Sequence, residues 1–289
     1  MSTVFIGLVI LLYSLQSLFC AIYGKNYDGR QKCKNDLFNA VEGAIIAGTS
    51  LFFIKFQFHP SATTWIIGLL TGLMLLVYNT FFIKGSTAGP YSMLNISLLF
   101  GGLLIPIIYN AVALHTRVSY LQLIAIGLML AALVLMNLKK EEMQWSKGFF
   151  FCCLLLFISN GAYNTLIKIQ TSICESESTQ MVILAFGVVS IVSTIKLLFI
   201  HKVEKQQYLR IGKRAWLSLL ACSICAVTAI NLLVYVLPLV NLAVLYTVEN
   251  GGIMVMSVFF SFFIFKEKIA AARIIGILIA ITSLVLLSV

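Results

Sequence analysis

The sequence predicts an all-α membrane protein of ten transmembrane helices arranged as two inverted five-helix repeats. Three observations carry that expectation. Of the 289 residues, 61% are hydrophobic and only 10% are charged; the charges fall in short clusters about one bilayer span apart; and the two halves of the chain share a pattern. Soluble domains carry about 45–50% apolar and about 25% charged residues, so twenty basic and ten acidic side chains are too few to cover a soluble surface of this size. The bilayer is the expected solvent.

A spanning helix takes roughly 20 mostly apolar residues, and the charges divide the chain accordingly. Segment one, 3–23, is an uncharged run closed by Lys25. No Lys or Arg precedes it and no small-residue cleavage site stands out, so it is expected to be retained. Segment two, 37–55, lies between Asp36 and Lys55. Segment three, 62–83, ends at Lys84. Segment four, 88–113, opens on Gly89-Pro90, which suits a first helical turn, and contains Pro106, which is expected to kink it. Segment five, 118–138, ends before Lys139. Segments six, 148–169, and seven, 179–200, follow. No charge stands between Arg214 and Glu249, a run too long for one span. The break is placed at Leu237-Pro238 and Asn241, where proline interrupts helix continuation, giving segment eight, 215–236, and segment nine, 239–265. Segment ten is 270–288. The longest connections, around Tyr23 to Asp36, Lys139 to Lys147 and His201 to Arg214, leave no room for a second, soluble domain, and the two repeats are bounded as 1–138 and 139–289.

The net charge of +10 reports orientation. Sixteen of the twenty Lys and Arg residues lie in the connections after segments one, three, five, seven and nine. By the positive-inside rule that side faces the cytoplasm and both termini face outward. Only Lys55, Arg117 and Lys168 lie on the other side. Anionic headgroups are therefore the expected partner of the basic residues, and nucleic acid is not.

Of the seven cysteines, Cys20, Cys152, Cys153, Cys174, Cys222 and Cys225 lie in or beside apolar spans and read as small buried thiols. Cys222 and Cys225 form a C-x-x-C spacing without a second pair or a nearby histidine. His59, His115 and His201 make no ligand cluster, and no Gly-rich phosphate loop with its Lys is present. No metal, cofactor or enzymatic activity is expected, nor a pump driven by ATP bound to this chain.

The stretch from Gly89 to Asn137 runs proline, long kinked helix, polar break, Gly-rich apolar helix, and the stretch from Val240 to Val289 runs likewise. At an offset of 151, Gln122 falls on Arg273, Ala125 on Gly276, Thr116 on Glu267 and Asn95 on Tyr246. Five spans per half is an odd number, so the second copy enters the membrane upside down, the plan of secondary transporters with a substrate site near the midplane.

The Phe-Lys-Glu-Lys end of segment nine (Phe265 to Lys268), the Ile-Ile-Gly helix that follows it, the Gly-Pro-Tyr-Ser start of segment four and the ten-span length together resemble the EamA-type members of the drug/metabolite transporter superfamily. The resemblance covers essentially the whole chain. It implies a bacterial inner-membrane carrier of small organic metabolites with a central cavity lined by segments one, three, four, six, eight and nine. Two departures stand out. His115-Thr116-Arg117 occupies the place where the family often has a Glu at the end of segment four. The charge count puts the termini outside, where many relatives are thought to have cytoplasmic termini.

An ionisable group in hydrocarbon is by default a functional candidate. Glu249 sits about ten residues into segment nine, near mid-bilayer at about 1.5 Å rise per residue, beside Asn250, Gly251 and Gly252. It is read either as an acid that couples transport to a proton gradient or as an anion that pairs with a substrate amine; the structural alternative is a carboxyl that holds neighbouring helices together. Asn160, Tyr163 and Asn164 share one helical face in segment six, which suits a polar ligand. Lys168, nearer the helix end, either snorkels to the interface or anchors a carboxylate or phosphate. Gln16, Asn79, Tyr91, Asn95, Asn231 and Tyr246 are further candidates for the same cavity. Glu42, about a turn inside segment two, and Lys196 are expected to reach the headgroups. The spacings Gly68 to Gly72 and Gly43 to Ala47 read as close helix packing.

The chain is thus expected to be a secondary-active exporter of amino acids or related metabolites, working by alternating access, with proton coupling as one reading of Glu249. The alternatives are a sugar or nucleotide-sugar carrier, or a non-transporting membrane subunit. Its expected partners are a small-molecule substrate, lipid and protons, and a monomer is compatible with the plan.

Overall fold

The computed structural model describes residues 2–29, 31–113, 119–137, 147–204, 211–236, 242–267 and 271–288. The break at Leu237-Pro238 and Asn241 and the triplet His115-Thr116-Arg117 lie outside them, as do the side chains of Gln122, Tyr246 and Arg273. The described residues form α-helices and two short 3-10 turns, with no strand among them. In chain order the helices are α1 (Ser2–Asn26), α2 (Lys34–Phe53), α3 (Ala62–Ala88), α4 (Tyr91–Ala113), α5 (Tyr120–Asn137), α6 (Lys147–Cys174), α7 (Ser178–Glu204), α8 (Lys213–Val236), α9 (Leu242–Phe263) and α10 (Ala271–Ser288).

Six stretches are long and apolar enough to cross a membrane: Val4–Asn26, Lys34–Phe53, Ala62–Ala88, Tyr91–Ala113, Lys147–Ile200, which contains α6 and most of α7, and Lys213–Leu233. Val248–Phe263 and Ile274–Ser283 are shorter apolar helices. The outer surface is that of a multi-pass membrane protein. Ile66, Leu69, Leu70 and Leu73 of α3 and Ile191, Ile195, Leu198 and Phe199 of α7 are all exposed, whereas Thr64, Thr71, Asn79 and Ser86 of α3 and Ser193 of α7 are buried. Hydrocarbon offers no hydrogen bonds, and buried hydroxyls bond their own helix instead: Ser14 to Ile10 O, Thr71 to Ile67 O, Thr165 to Gly161 O and Ser223 to Leu219 O.

Helix α1 packs on α8 and α9, α6 on α3 and α4, α2 on α7 and α8, α3 on α7, α4 on α9, and α5 on α10. Small residues set the closest approaches. A Cβ added at Gly43 would lie 2.7 Å from Phe186 O of α7, and one at Gly72 2.7 Å from Ala185 O, so both spacings noted in the sequence fall at contacts with α7.

The connections meet at two ends. At one, Gly212 N donates to Asp28 Oδ1 (2.7 Å), Tyr91 N donates to Glu267 Oε1 (2.7 Å), and Lys25 Nζ lies 3.7 Å from the Phe265 ring centre. At the other, Ser61 N and Ser61 Oγ donate to Glu177 Oε2 (2.9 and 2.8 Å), and His59 N donates to Gln180 Oε1 (3.2 Å). The connections after α1, α3, α7 and α9 therefore gather at one end and those after α2 and α6 at the other.

Candidate functional site

Glu249 lies seven residues into α9, about 10 Å along the helix from Leu242. It is 8% exposed. Its Oε2 has no hydrogen-bond partner among the described residues. One turn on, Gly252 faces α1, where a Cβ would come 2.8 Å from Ile10; the missing side chain lets α1 close over α9 beside the carboxyl. Asn250 is half-buried next to it.

A second buried carboxyl was misplaced by the sequence reading. Glu42 does not reach the headgroups. Helix α2 begins at Lys34 rather than 37, so Glu42 is more than two turns inside, about 12 Å along the axis, and is 1% exposed. Asn79 Nδ2 of α3 donates to its Oε2 at 2.8 Å. The Gln16 side chain of α1 hydrogen-bonds it. The Cys222 thiol of α8 lies 3.7 Å from Oε1 and 3.3 Å from the Gln16 carbonyl oxygen. Four helices thus converge on one carboxylate, and two of the sequence candidates, Gln16 and Asn79, meet there. The signal was present: Glu42 is the only charge between Asp36 and Lys55, and the early helix start hid its depth. Lys196, by contrast, is well exposed and lies 3.8 Å from Asp36.

The amides of segment six bind a neighbouring helix. Asn160 Nδ2 donates to Leu98 O of α4 (2.9 Å) and Asn164 Nδ2 to Gly102 O (3.4 Å). Proline has no N–H, so Pro106 leaves the carbonyl of Gly102, four residues before it, without its helical donor. Asn164 supplies one from α6. Gly101 and Gly161 make this approach possible, since a Cβ on Gly161 would lie 2.6 Å from Gly101 O. Tyr163 packs on the apolar cluster of Ile46, Leu75 and Phe186, and Lys168 is exposed, consistent with snorkelling.

The remaining candidates are dispersed. Tyr91 starts α4, fully buried, with its ring 4.9 Å from that of Phe265. Glu267 Oε1 takes its backbone N–H, and Glu267 Oε2 accepts from Ser261, so this carboxylate ties α4 to the end of α9. Asn95 and Asn231 donate to their own helices at Tyr91 O (3.1 Å) and Val227 O (2.7 Å). Two surface depressions, one lined by Phe52, Phe53, Lys55 and Phe56 and one between α2 and α7, touch neither Glu42 nor Glu249.

No family model and no curated protein matches the chain. Among solved structures 26 chains match. One of them, described only as the crystal structure of a protein, superposes with a TM-score of 0.65 at 13% identity, over 99% of this chain and 95% of its own. At that identity the likeness is one of fold alone.

Proposed function

We propose that the chain is a ten-span secondary carrier of the EamA type, exporting amino acids or related small metabolites by alternating access, with Glu249 as its proton-coupling carboxyl. The observation that carries the reading is the unpartnered Oε2 of Glu249, buried in an apolar helix. Leaving a bare charge there is costly, so the group is suited to take up and release a proton as the bundle opens to either side.

The helix pairings support two repeats. Exchanging each helix with the one five places away turns α1–α8 into α6–α3, α4–α6 into α9–α1 and α3–α7 into α8–α2, while α2–α7, α4–α9 and α5–α10 map onto themselves. The two ends support them as well. Ser61 caps α3 and gives its N–H to Glu177 of the α6–α7 connection; Gly212 precedes α8 and gives its N–H to Asp28 of the α1–α2 connection. Ser61 and Gly212 are 151 residues apart, as are Trp65 and Trp216, which donate back to them. One latch lies at each end, as inverted repeats of 1–138 and 139–289 require.

The basic end, with Lys25, Lys32 and Lys213, is placed at the cytoplasmic face of a bacterial inner membrane. Labelling of Ser2→Cys by a membrane-impermeant maleimide on intact cells tests that placement. Function is tested by screening the purified protein for thermal stabilisation against a metabolite panel, then measuring uptake of the stabilising compound into proteoliposomes with and without a pH gradient. Stabilisation of the wild-type protein and gradient-dependent uptake are the expected result, with the gradient dependence lost in Glu249→Gln. Equal uptake and equal gradient response in the two proteins overturn the role of Glu249.

A further inference from the structure

Resting on the carrier reading, the geometry points to a second site: the buried Glu42 carboxylate, with Gln16, Asn79 and Cys222, is where a primary ammonium group of the cargo binds. Glu42 lies at the junction of α1, α2, α3 and α8, and its oxygens face an amide N–H from Asn79 at 2.8 Å, the side chain of Gln16 and the thiol of Cys222. All three are neutral. Neutral donors compensate a buried negative charge in part but leave it in place, and a buried charge without an opposite charge is costly.

Among the described residues Glu42 has no ion pair. Cys20 of α1 and Tyr78 of α3 lie near it. On its own helix the nearest cation, Lys34, is eight residues away, about 12 Å along the axis. From α7 the nearest cation is Lys196, which sits beside Asp36. Among the described residues no cation reaches the carboxylate, and an ammonium on the cargo would supply one.

The class of that cation follows from the surroundings. Hard metal ions take six or more oxygens, and this carboxylate is met by N–H and S–H donors, with no metal-binding group of three His, Cys, Asp or Glu among the described residues. An alkylammonium needs fewer partners: its three N–H donors can be met by the carboxylate and by the side-chain oxygens of Gln16 and Asn79. A two-carboxyl division of labour results. Glu42, with donors and no counter-charge among the described residues, holds the ammonium; Glu249, whose Oε2 has no donor among them, carries the proton.

The test uses purified protein in lipid nanodiscs and three probes, ethylammonium, n-butylammonium and phenethylammonium, each beside the alcohol of the same skeleton. At least one ammonium probe is expected to stabilise the wild-type protein against heat while its alcohol does not. Glu42→Gln should weaken that binding at least about tenfold. The proposal is overturned if no ammonium probe stabilises, if the alcohols do so equally, or if Glu42→Gln binds as wild type does. The ammonium-against-alcohol comparison needs no variant, so it decides the matter even if Glu42→Gln fails to fold. The carrier reading fails separately, and the site stands, if Glu42-dependent binding is found but proteoliposomes do not move the bound probe.

Discussion

Glu42 and Glu249 are both carboxyls buried about seven or eight residues inside apolar helices, 1% and 8% exposed, yet their surroundings are opposite. Three side chains from three helices hydrogen-bond Glu42, whereas Oε2 of Glu249 has no partner among the described residues. Burial alone would have ranked them together. What separates them is whether the bundle supplies donors, because a carboxylate with donors suits a held negative charge and one without suits a proton that comes and goes.

The largest expected effect breaks the pair apart in transport. Glu249→Gln should abolish gradient-driven accumulation of the cargo while leaving exchange of labelled for unlabelled cargo intact; Glu42→Gln should abolish both. Identical phenotypes in the two assays erase the distinction. A stability experiment comes next. Glu42→Leu strands the donors of Asn79 and Gln16 and should cost about 1–3 kcal/mol per stranded group, read from thermal unfolding in detergent, while Glu249→Leu strands no described donor at Oε2 and should be neutral or stabilising. Equal destabilisation contradicts the account of the donors.

Asn164→Leu sharpens the comparison from the side of an amide that serves packing. It removes the donor to the carbonyl left free by Pro106 and should cost about 0.6–2 kcal/mol without changing ammonium binding; a loss of that binding would place segment six in the ligand site. The smallest effect concerns Glu177, which has donors without deep burial. Hydrogen bonds from Thr64 and from the Ser61 backbone and side chain hold its carboxyl down to about 2, against an ordinary 4.5. Its folded value is depressed, so the latch is fully present above about pH 4.5 and is lost as pH falls toward 2. Fluorescence of Trp65, with Trp145 and Trp216 replaced by Phe, should follow that change, and Glu177→Gln should flatten it.

Much of the helical plan was legible because charges punctuate hydrocarbon-length runs: Lys25, Lys55 and Arg214 each fall within a few residues of a helix end. Lys84 was a poorer marker. It lies inside α3, which continues to Ala88, since a long side chain near an interface can extend to headgroups from within a helix. The same error hid Glu42: Lys34 and Asp36 begin α2 instead of preceding it. At the site, Gln16 and Asn79 were legible as polar interruptions, but their shared partner on a third helix was not, because sequence spacing reports faces of one helix and not which helices meet. The pairing of Asn164 with the carbonyl freed by Pro106 was hidden for the same reason, although each residue stood out alone.

The central claim, that this is a carrier whose proton rides on Glu249, is met most directly by proton movement itself. Proteoliposomes loaded with a pH-sensitive dye receive an outward or inward gradient of the amino acid that stabilises the purified protein. The wild-type protein should drive proton movement against that gradient. Glu249→Gln should exchange labelled amino acid and move no protons. Equal proton flux in the two proteins, or cargo movement with no proton flux in the wild type, contradicts the claim.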